Sequence, residues 1–371
     1  MASVASFEIR CTQFLDGQGE STQPLPPFAG DRATLIALYR AMQLARSFDT
    51  KAIALQRTGK IGTFASALGQ EAVGVGTASA MRADDVLLPS YRDHPAQFVR
   101  GVRMTESLLY WGGDERGSAF AGPRGDFANS VPIATQVCHA AGVAYAFKLK
   151  REPRVAVCLC GDGATSRGDF YEGLNMAGVW GVPLVLVVNN NQWAISVPIK
   201  KQTAAQTLAQ KAIAAGIEGL QVDGNDVIAV RFAVEAALAK ARDGGGPTLI
   251  EALTYRLGDH TTADDATRYR DAEFVRQQWA FEPIGRLRKH LVRLGAWDKA
   301  REEALHQDLA AEVEQAVAEY LAVAKPGVDA MFDHLYATLP AALEVQRSEA
   351  RRWAAPAPPS AQSAPSGGGH G

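Results

Sequence analysis

The sequence predicts an α/β fold, a mostly parallel sheet flanked by helices with a helical C-terminal extension, and three observations carry that expectation. Short apolar runs at 154–160, 183–188, 219–222 and 247–253 alternate with helical patterns at 169–180 and 226–242, the order produced by βαβ units. Two of these runs end in polar, turn-forming residues, Gly161-Asp162-Gly163 after the first and Asn189-Asn190-Asn191 after the second. From Glu273 onward the pattern becomes helical and charged. With 371 residues, 47% of them apolar and 21% charged, the chain can bury a large core in one α/β domain with appendages.

Taken in order, residues 1–30 read as an irregular arm, because Pro24-Leu25-Pro26-Pro27 opposes helix. Asp31 is a suitable N-cap, after which Leu35, Leu38, Met42, Ala45, Phe48, Ala52 and Leu55 recur at helical spacing until Gly59. Residues 95–111 and 134–150 read as helices on either side of a glycine-rich stretch. The alternating strands and helices follow, so 31–272 forms the α/β domain and 273–353 the helical extension. The Ala-, Pro-, Ser- and Gly-rich stretch at 354–371 cannot supply a packed core and reads as a disordered tail.

Composition excludes several roles. The net charge is −2 and Lys and Arg are scattered, which gives no basic field for nucleic acid. No apolar run approaches the ~18 residues needed to span a bilayer. Arg10 is the one basic residue before position 31, so the N-terminus matches neither a secretory signal nor an arginine-rich transit peptide. The four cysteines, Cys11, Cys138, Cys158 and Cys160, form no CxxC pair. Two of them lie in an apolar strand, and all suit a reducing cytoplasm.

The polar strand ends carry the chemistry. A βαβ unit sets the carboxyl ends of its two parallel strands side by side, the edge at which open α/β sheets bind ligands. Asp162 and Asn191 would meet there as a carboxylate and a carboxamide, hard oxygen donors suited to Mg²⁺ shared with a diphosphate. Two rival phosphate sites fit worse. A dinucleotide fingerprint requires a third glycine where Ser166 stands, which argues against a nicotinamide dehydrogenase, and no stretch supplies the lysine of a P-loop.

Gly161-Asp162-Gly163, followed at the next strand end by paired asparagines, resembles the thiamine diphosphate motif. From about residue 30 to about residue 340 the chain is similar to the α subunit of the E1 component of 2-oxo acid dehydrogenase complexes. That resemblance implies thiamine diphosphate and Mg²⁺ as cofactors, with Asp162, Asn191 and the Trp193 main-chain carbonyl on the metal. Gly163 and Ala164 would hold the diphosphate at a turn where small residues let backbone amides approach. Tyr91 and Arg92, in Ser90-Tyr91-Arg92-Asp93-His94, match the family's Tyr-Arg pair at the cofactor. His260 matches the histidine of the mobile active-site loop, a catalytic as well as a cofactor-binding position. Val131 and Ile133 align with positions whose backbone meets the aminopyrimidine ring, although their side chains fit an apolar wall equally well.

Departures from the family's pattern also matter. Animal pyruvate enzymes carry a histidine where this chain has Ala65, and the neighbouring Phe64 could line a pocket for a methyl group or a longer branched side chain. Thr261 and Thr262 stand where animal enzymes carry phosphorylated serines, but a loop hydroxyl is no evidence for a kinase. In this family the glutamate that acts on the cofactor pyrimidine lies on the β subunit. The resemblance therefore implies an α2β2 assembly with E1β, a small 2-oxo acid substrate and transfer of the acyl group to the lipoyl domain of E2. Pyruvate is the leading substrate expected, branched-chain 2-oxo acids come second, and the acetoin dehydrogenase α subunit shares the motifs. A non-enzymatic cofactor-binding scaffold would tolerate loss of Asp162.

Overall fold

A computed structural model describes residues 4–354. The strands are β1 (Cys11–Thr12), β2 (Val86–Leu88), β3 (Ala156–Gly161), β4 (Leu184–Asn190), β5 (Trp193–Ala194), β6 (Val197–Pro198), β7 (Glu218–Asp223) and β8 (Thr248–Leu253). Six of them form one sheet in the order β1-β7-β8-β4-β3-β2, while β5 and β6 make a separate small ribbon. Every pairing in the large sheet is parallel. This is the α/β architecture the alternation of strands and helices predicts.

The strands are apolar throughout because both faces are covered. Val157 and Leu159 of β3 belong to one core cluster with Leu35, Leu38, Val230 and Val234. Their neighbours Ala156, Cys158 and Cys160 belong to another with Val137, Ala141, Phe170 and Leu174. The two-residue alternation of a strand thus delivers adjacent residues to opposite layers. The first layer is built on α1 (Arg32–Arg57), α2 (Glu71–Ala80) and later helices, the second on α5 (Thr135–Lys150) and α6 (Gly168–Trp180).

Asp31 caps α1 by accepting from the backbone N–H groups of Ala33 and Thr34. The helix expected over 95–111 is two, α3 (His94–Arg100) and α4 (Met104–Trp111), because Gly101 between them turns left-handed with φ 97°. Helix α7 (Lys211–Ala214) precedes β7, and α8 (Val227–Arg242) connects β7 to β8.

Among the described residues, 11–30 are more ordered than an irregular arm. β1 adds a parallel strand beside β7, with Cys11 opposite Gln221 and Thr12 opposite Val222. Phe14 and Leu15 are buried, and their N–H groups both donate to the buried carboxylate of Asp226 at 2.7 and 2.8 Å. That carboxylate also caps α8 through Ile228 N at 3.0 Å. One side chain therefore ties the N-terminal segment to the sheet, a link of long sequence separation.

The helical region after 272 comprises α9 (Ala272–Gln278), α10 (Pro283–Arg293), α11 (Lys299–Ala322) and α12 (Ala341–Ala354). Among the described residues the chain divides into compact units after residue 321, well beyond residue 273. The physical reason is burial: Ile284, Leu287, Leu291, Leu305 and Leu309 join the main core, and the Tyr39 hydroxyl donates to Glu302 at 2.8 Å. In the second unit, Arg351 of α12 pairs with Asp329 at 2.7 Å. Apart from Ala354, the tail expected at 354–371 lies outside the described residues.

Candidate active site

The paired strands β3 and β4 set Gly161 opposite Asn189, so the residues that follow emerge side by side at one sheet edge. After β3 the chain enters a short 3-10 turn over Asp162–Ser166 and then α6. Asp162 is buried, and its Oδ2 accepts from Gln202 Nε2 at 2.6 Å. After β4, Asn191 Oδ1 accepts from Trp193 N at 3.1 Å, while its Nδ2 donates to Gln70 Oε1 at 2.9 Å. Gly163 lies so close to this second segment that a Cβ there would come within 2.8 Å of the Ala194 side chain. Only glycine permits that approach.

A cavity of about 510 Å³ opens over these strand ends. Asp162, Gly163 and Ala164 line it from the β3 turn, and Asn191 and Trp193 from the β4 turn. Tyr91 and Arg92 reach it from the loop before α3, Val131 and Ile133 from the loop before α5, and His260 from the segment after β8. The ten residues singled out for cofactor or metal therefore share one cavity. Phe64 does not line it and so does not provide the expected pocket wall. Its ring is fully buried with Phe48, Trp111 and His94, at centroid distances of 6.0, 5.2 and 5.8 Å. Thr63 and Ala65 on either side face the cavity instead.

Arg92 and His260 are joined directly. Arg92 donates from Nη1 to the Ser66 carbonyl and from Nη2 to the His260 carbonyl at 2.7 Å, and Nη2 also lies 3.2 Å from His260 Nδ1. Asp49 fixes the same segment by accepting from Ser66 Oγ at 2.6 Å and Ala67 N at 2.7 Å. The buried Arg256 approaches His260 Nδ1 at 3.4 Å and donates to the Ile195 carbonyl at 2.9 Å. Burial, with Arg92 and Arg256 adding to it, brings the His260 pKa down to about 4. The ring is therefore neutral at pH 7. With arginine N–H groups facing Nδ1, that nitrogen is the acceptor and Nε2 carries the hydrogen. His260 is an N–H donor here.

The donor set suits a small hard cation. Burial raises the Asp162 pKa, offset only in part by the Gln202 hydrogen bond and the nearby Arg256 and Arg92 charges. Among the described residues no cationic side chain forms an ion pair with it. One carboxylate, one carboxamide oxygen and one main-chain carbonyl are oxygen ligands of the kind Mg²⁺ takes alongside phosphate oxygens. The described residues hold no cluster of three His, Cys, Asp or Glu side chains that could bind a metal. The close approach at Gly163 and the guanidinium of Arg92 provide an anion's counterpart in the same cavity.

Four residues of this site were not evident from the sequence. Gln70, Gln202 and Arg256 contact the predicted residues directly, and Asn189 lines the cavity with its Oδ1 buried and unpartnered among the described residues. Asn189 stands within the asparagine run that marks the strand end. Gln70 and Gln202 are distant in sequence from the groups they serve, and Arg256, four residues before His260, also reaches the Trp193 carbonyl 63 residues away.

A family model described as Dehydrogenase E1 component matches residues 39–328. The chain belongs to this E1 family. It is 43% identical over 321 residues to the 3-methyl-2-oxobutanoate dehydrogenase subunit alpha of Mycobacterium tuberculosis (strain H37Rv), covering 86% of this chain and 87% of the relative. It is 39% identical over 342 residues to the pyruvate dehydrogenase E1 component subunit alpha of Bacillus cereus, covering 91% of each. The corresponding subunit of Acholeplasma laidlawii is 38% identical over 324 residues, or 87% of this chain and 94% of that one. As an E1 α chain of the 2-oxo acid dehydrogenase type it is an oxidoreductase subunit, and its family implies dependence on thiamine diphosphate. E1 α subunits of these complexes pair with E1 β and E2. No helix of the described residues is long and apolar enough to cross a membrane.

Proposed function

We propose that this chain binds the magnesium diphosphate end of thiamine diphosphate in the cavity above β3 and β4. Asp162, Asn191 and the Trp193 carbonyl would hold the metal, while Gly163, Ala164, Arg92 and Tyr91 would receive the diphosphate. The observation that carries this reading is the convergence on one cavity of Asp162 and Asn191 with the eight further residues that the resemblance implies. Bound there, thiamine diphosphate supplies a carbon nucleophile and electron sink for 2-oxo acid decarboxylation. Arg92 clamps anionic oxygens and also holds His260 in place. His260 donates from Nε2, which stabilises negative charge near the acyl group and guides the incoming lipoyl acceptor. Val131 and Ile133 would give the ring end an apolar wall. The β subunit completes the site in an α2β2 assembly, and the acyl product passes to the lipoyl domain of E2. We place the protein in the cytoplasm, where its free thiols stay reduced.

Pyruvate is our first assignment for the acid, in line with the names of the Bacillus and Acholeplasma relatives. A branched-chain 2-oxo acid is the second, favoured by the name of the 43% identical relative and by the small Ala65 on the cavity wall. Co-expression with an E1 β subunit, followed by decarboxylation assays on pyruvate and 3-methyl-2-oxobutanoate, tests both. Cofactor-dependent turnover of one acid that is lost in Asp162→Ala supports the reading and fixes the substrate. A folded assembly that binds no thiamine diphosphate would refute it.

A further inference from the structure

An asparagine serves a cation only through its side-chain oxygen, and a half-turn of the amide would replace that oxygen with an N–H₂ group. At Asn191 the choice is made by two neighbours. Trp193 N–H requires an acceptor, which Oδ1 provides at 3.1 Å, and Gln70 Oε1 requires a donor, which Nδ2 provides at 2.9 Å. Reversal would set donor against donor and acceptor against acceptor in a place closed to water, since Asn191 is 6% and Gln70 2% exposed.

The backbone around Gln70 is held firmly. The Gln70 N–H donates to Ala67 O at 2.8 Å, and the adjacent Gly69 donates from N to Glu71 Oε2 at 3.0 Å and accepts at its carbonyl from Thr254 Oγ1 at 2.8 Å. Glu71 is fully buried against Arg46 at 2.8 Å. The remaining amide group, Gln70 Nε2, is buried with no partner among the described residues, and Gln70 lines the cavity.

We infer that Gln70 is a positioning residue of the metal site: its Oε1 locks the Asn191 carboxamide in the orientation that offers oxygen to the cation. The inference rests on reading Asp162 and Asn191 as metal ligands. An outer partner of this kind typically governs metal affinity without touching the metal.

The test uses the full chain assembled with its β subunit and saturated with thiamine diphosphate. Mn²⁺ replaces Mg²⁺ as the probe, and free Mn²⁺ is counted by electron paramagnetic resonance. Gln70→Met keeps the length and removes the acceptor. It should raise the Mn²⁺ dissociation constant about 10–100-fold and, because the buried Asn191 Nδ2 loses its acceptor, lower the ligand-free melting temperature as well. Gln70→Glu restores an acceptor and should bind Mn²⁺ no more weakly than the parent. Parental affinity in Gln70→Met, or equal loss in both variants, overturns the inference. Should Gln70→Met fail to assemble, Gln70→Asn, which withdraws the amide by one methylene, is judged by the same criterion. Asp162→Ala separates the two levels: unchanged Mn²⁺ binding there refutes the metal reading itself, whereas loss there with no loss in Gln70→Met refutes only the role of Gln70.

Discussion

Arg92 grips His260 at two points, its Nη2 lying 2.7 Å from the main-chain carbonyl and 3.2 Å from the ring Nδ1. The carbonyl contact fixes the backbone of the loop and the ring contact fixes the tautomer. A cation so close to an imidazole also opposes its protonation, together with burial, which is the larger cause.

A pH dependence of stability follows. The His260 pKa falls from 6.5 to about 4 on folding, so between those values the unfolded chain binds more protons and stability rises with pH. His260 therefore opposes folding progressively as pH drops through that window, and above it contributes nothing further. Urea unfolding of the ligand-free protein at a series of pH values, compared with His260→Gln, should show an extra pH slope confined to this range. Parallel curves would contradict the assignment.

Asp162 should trade stability for binding. Its carboxylate is buried and raised in pKa by desolvation, with the neutral donor Gln202 as its close partner. Asp162→Asn removes a buried charge and should stabilise the ligand-free protein by about 1 kcal/mol. The same change should abolish the rise in melting temperature produced by thiamine diphosphate with Mg²⁺. Thermal scans with and without the cofactors check both halves.

The contact between Gly163 and Ala194 predicts a compensating pair. A methyl group at Gly163 would meet the Ala194 side chain at 2.8 Å, pushing apart the two turns that carry Asp162 and Asn191. Gly163→Ala should weaken cofactor binding by about 1–3 kcal/mol. Adding Ala194→Gly should recover most of it in isothermal titration of the assembled protein. A double variant as weak as the single one would show that the collision is not the cause.

Phe64 and Ala65 should separate stability from specificity. Phe64→Ala empties a buried ring site and should cost about 3–5 kcal/mol of stability, with the ratio of kcat/KM for pyruvate and 3-methyl-2-oxobutanoate unchanged. Ala65→Leu narrows the cavity wall and should lower kcat/KM for the branched acid relative to pyruvate by about 10–200-fold. Denaturation curves and paired kinetics distinguish the two outcomes.

Asp162 and Asn191 were legible because each ends an apolar run, and neighbouring parallel strands bring such ends together whatever else the chain does. Gln70 was not, because its link to Asn191 spans 121 residues and nothing local marks it. Arg256 stands in the segment that drew notice for His260, yet its role comes from the Ile195 carbonyl 61 residues away. Helix α2 escaped detection for another reason: seven of its ten residues are Ala, Val or Gly, so it is buried all round and shows no amphipathic stripe. β1 has only two residues and precedes a proline-rich stretch, so its strand state depends on β7 rather than on its own composition.

That dependence has a consequence for biosynthesis. Gln13, just past β1, bonds to Asp223 across 210 residues of chain, and the Asp226 carboxylate receives Phe14 and Leu15 across 212 and 211. During translation the N-terminal segment leaves the ribosome long before β7 and Asp226 exist. It must wait, with Phe14 and Leu15 exposed, until the central strands have been made and can offer an edge. The part of the sheet synthesised first can dock only after β7 has been made.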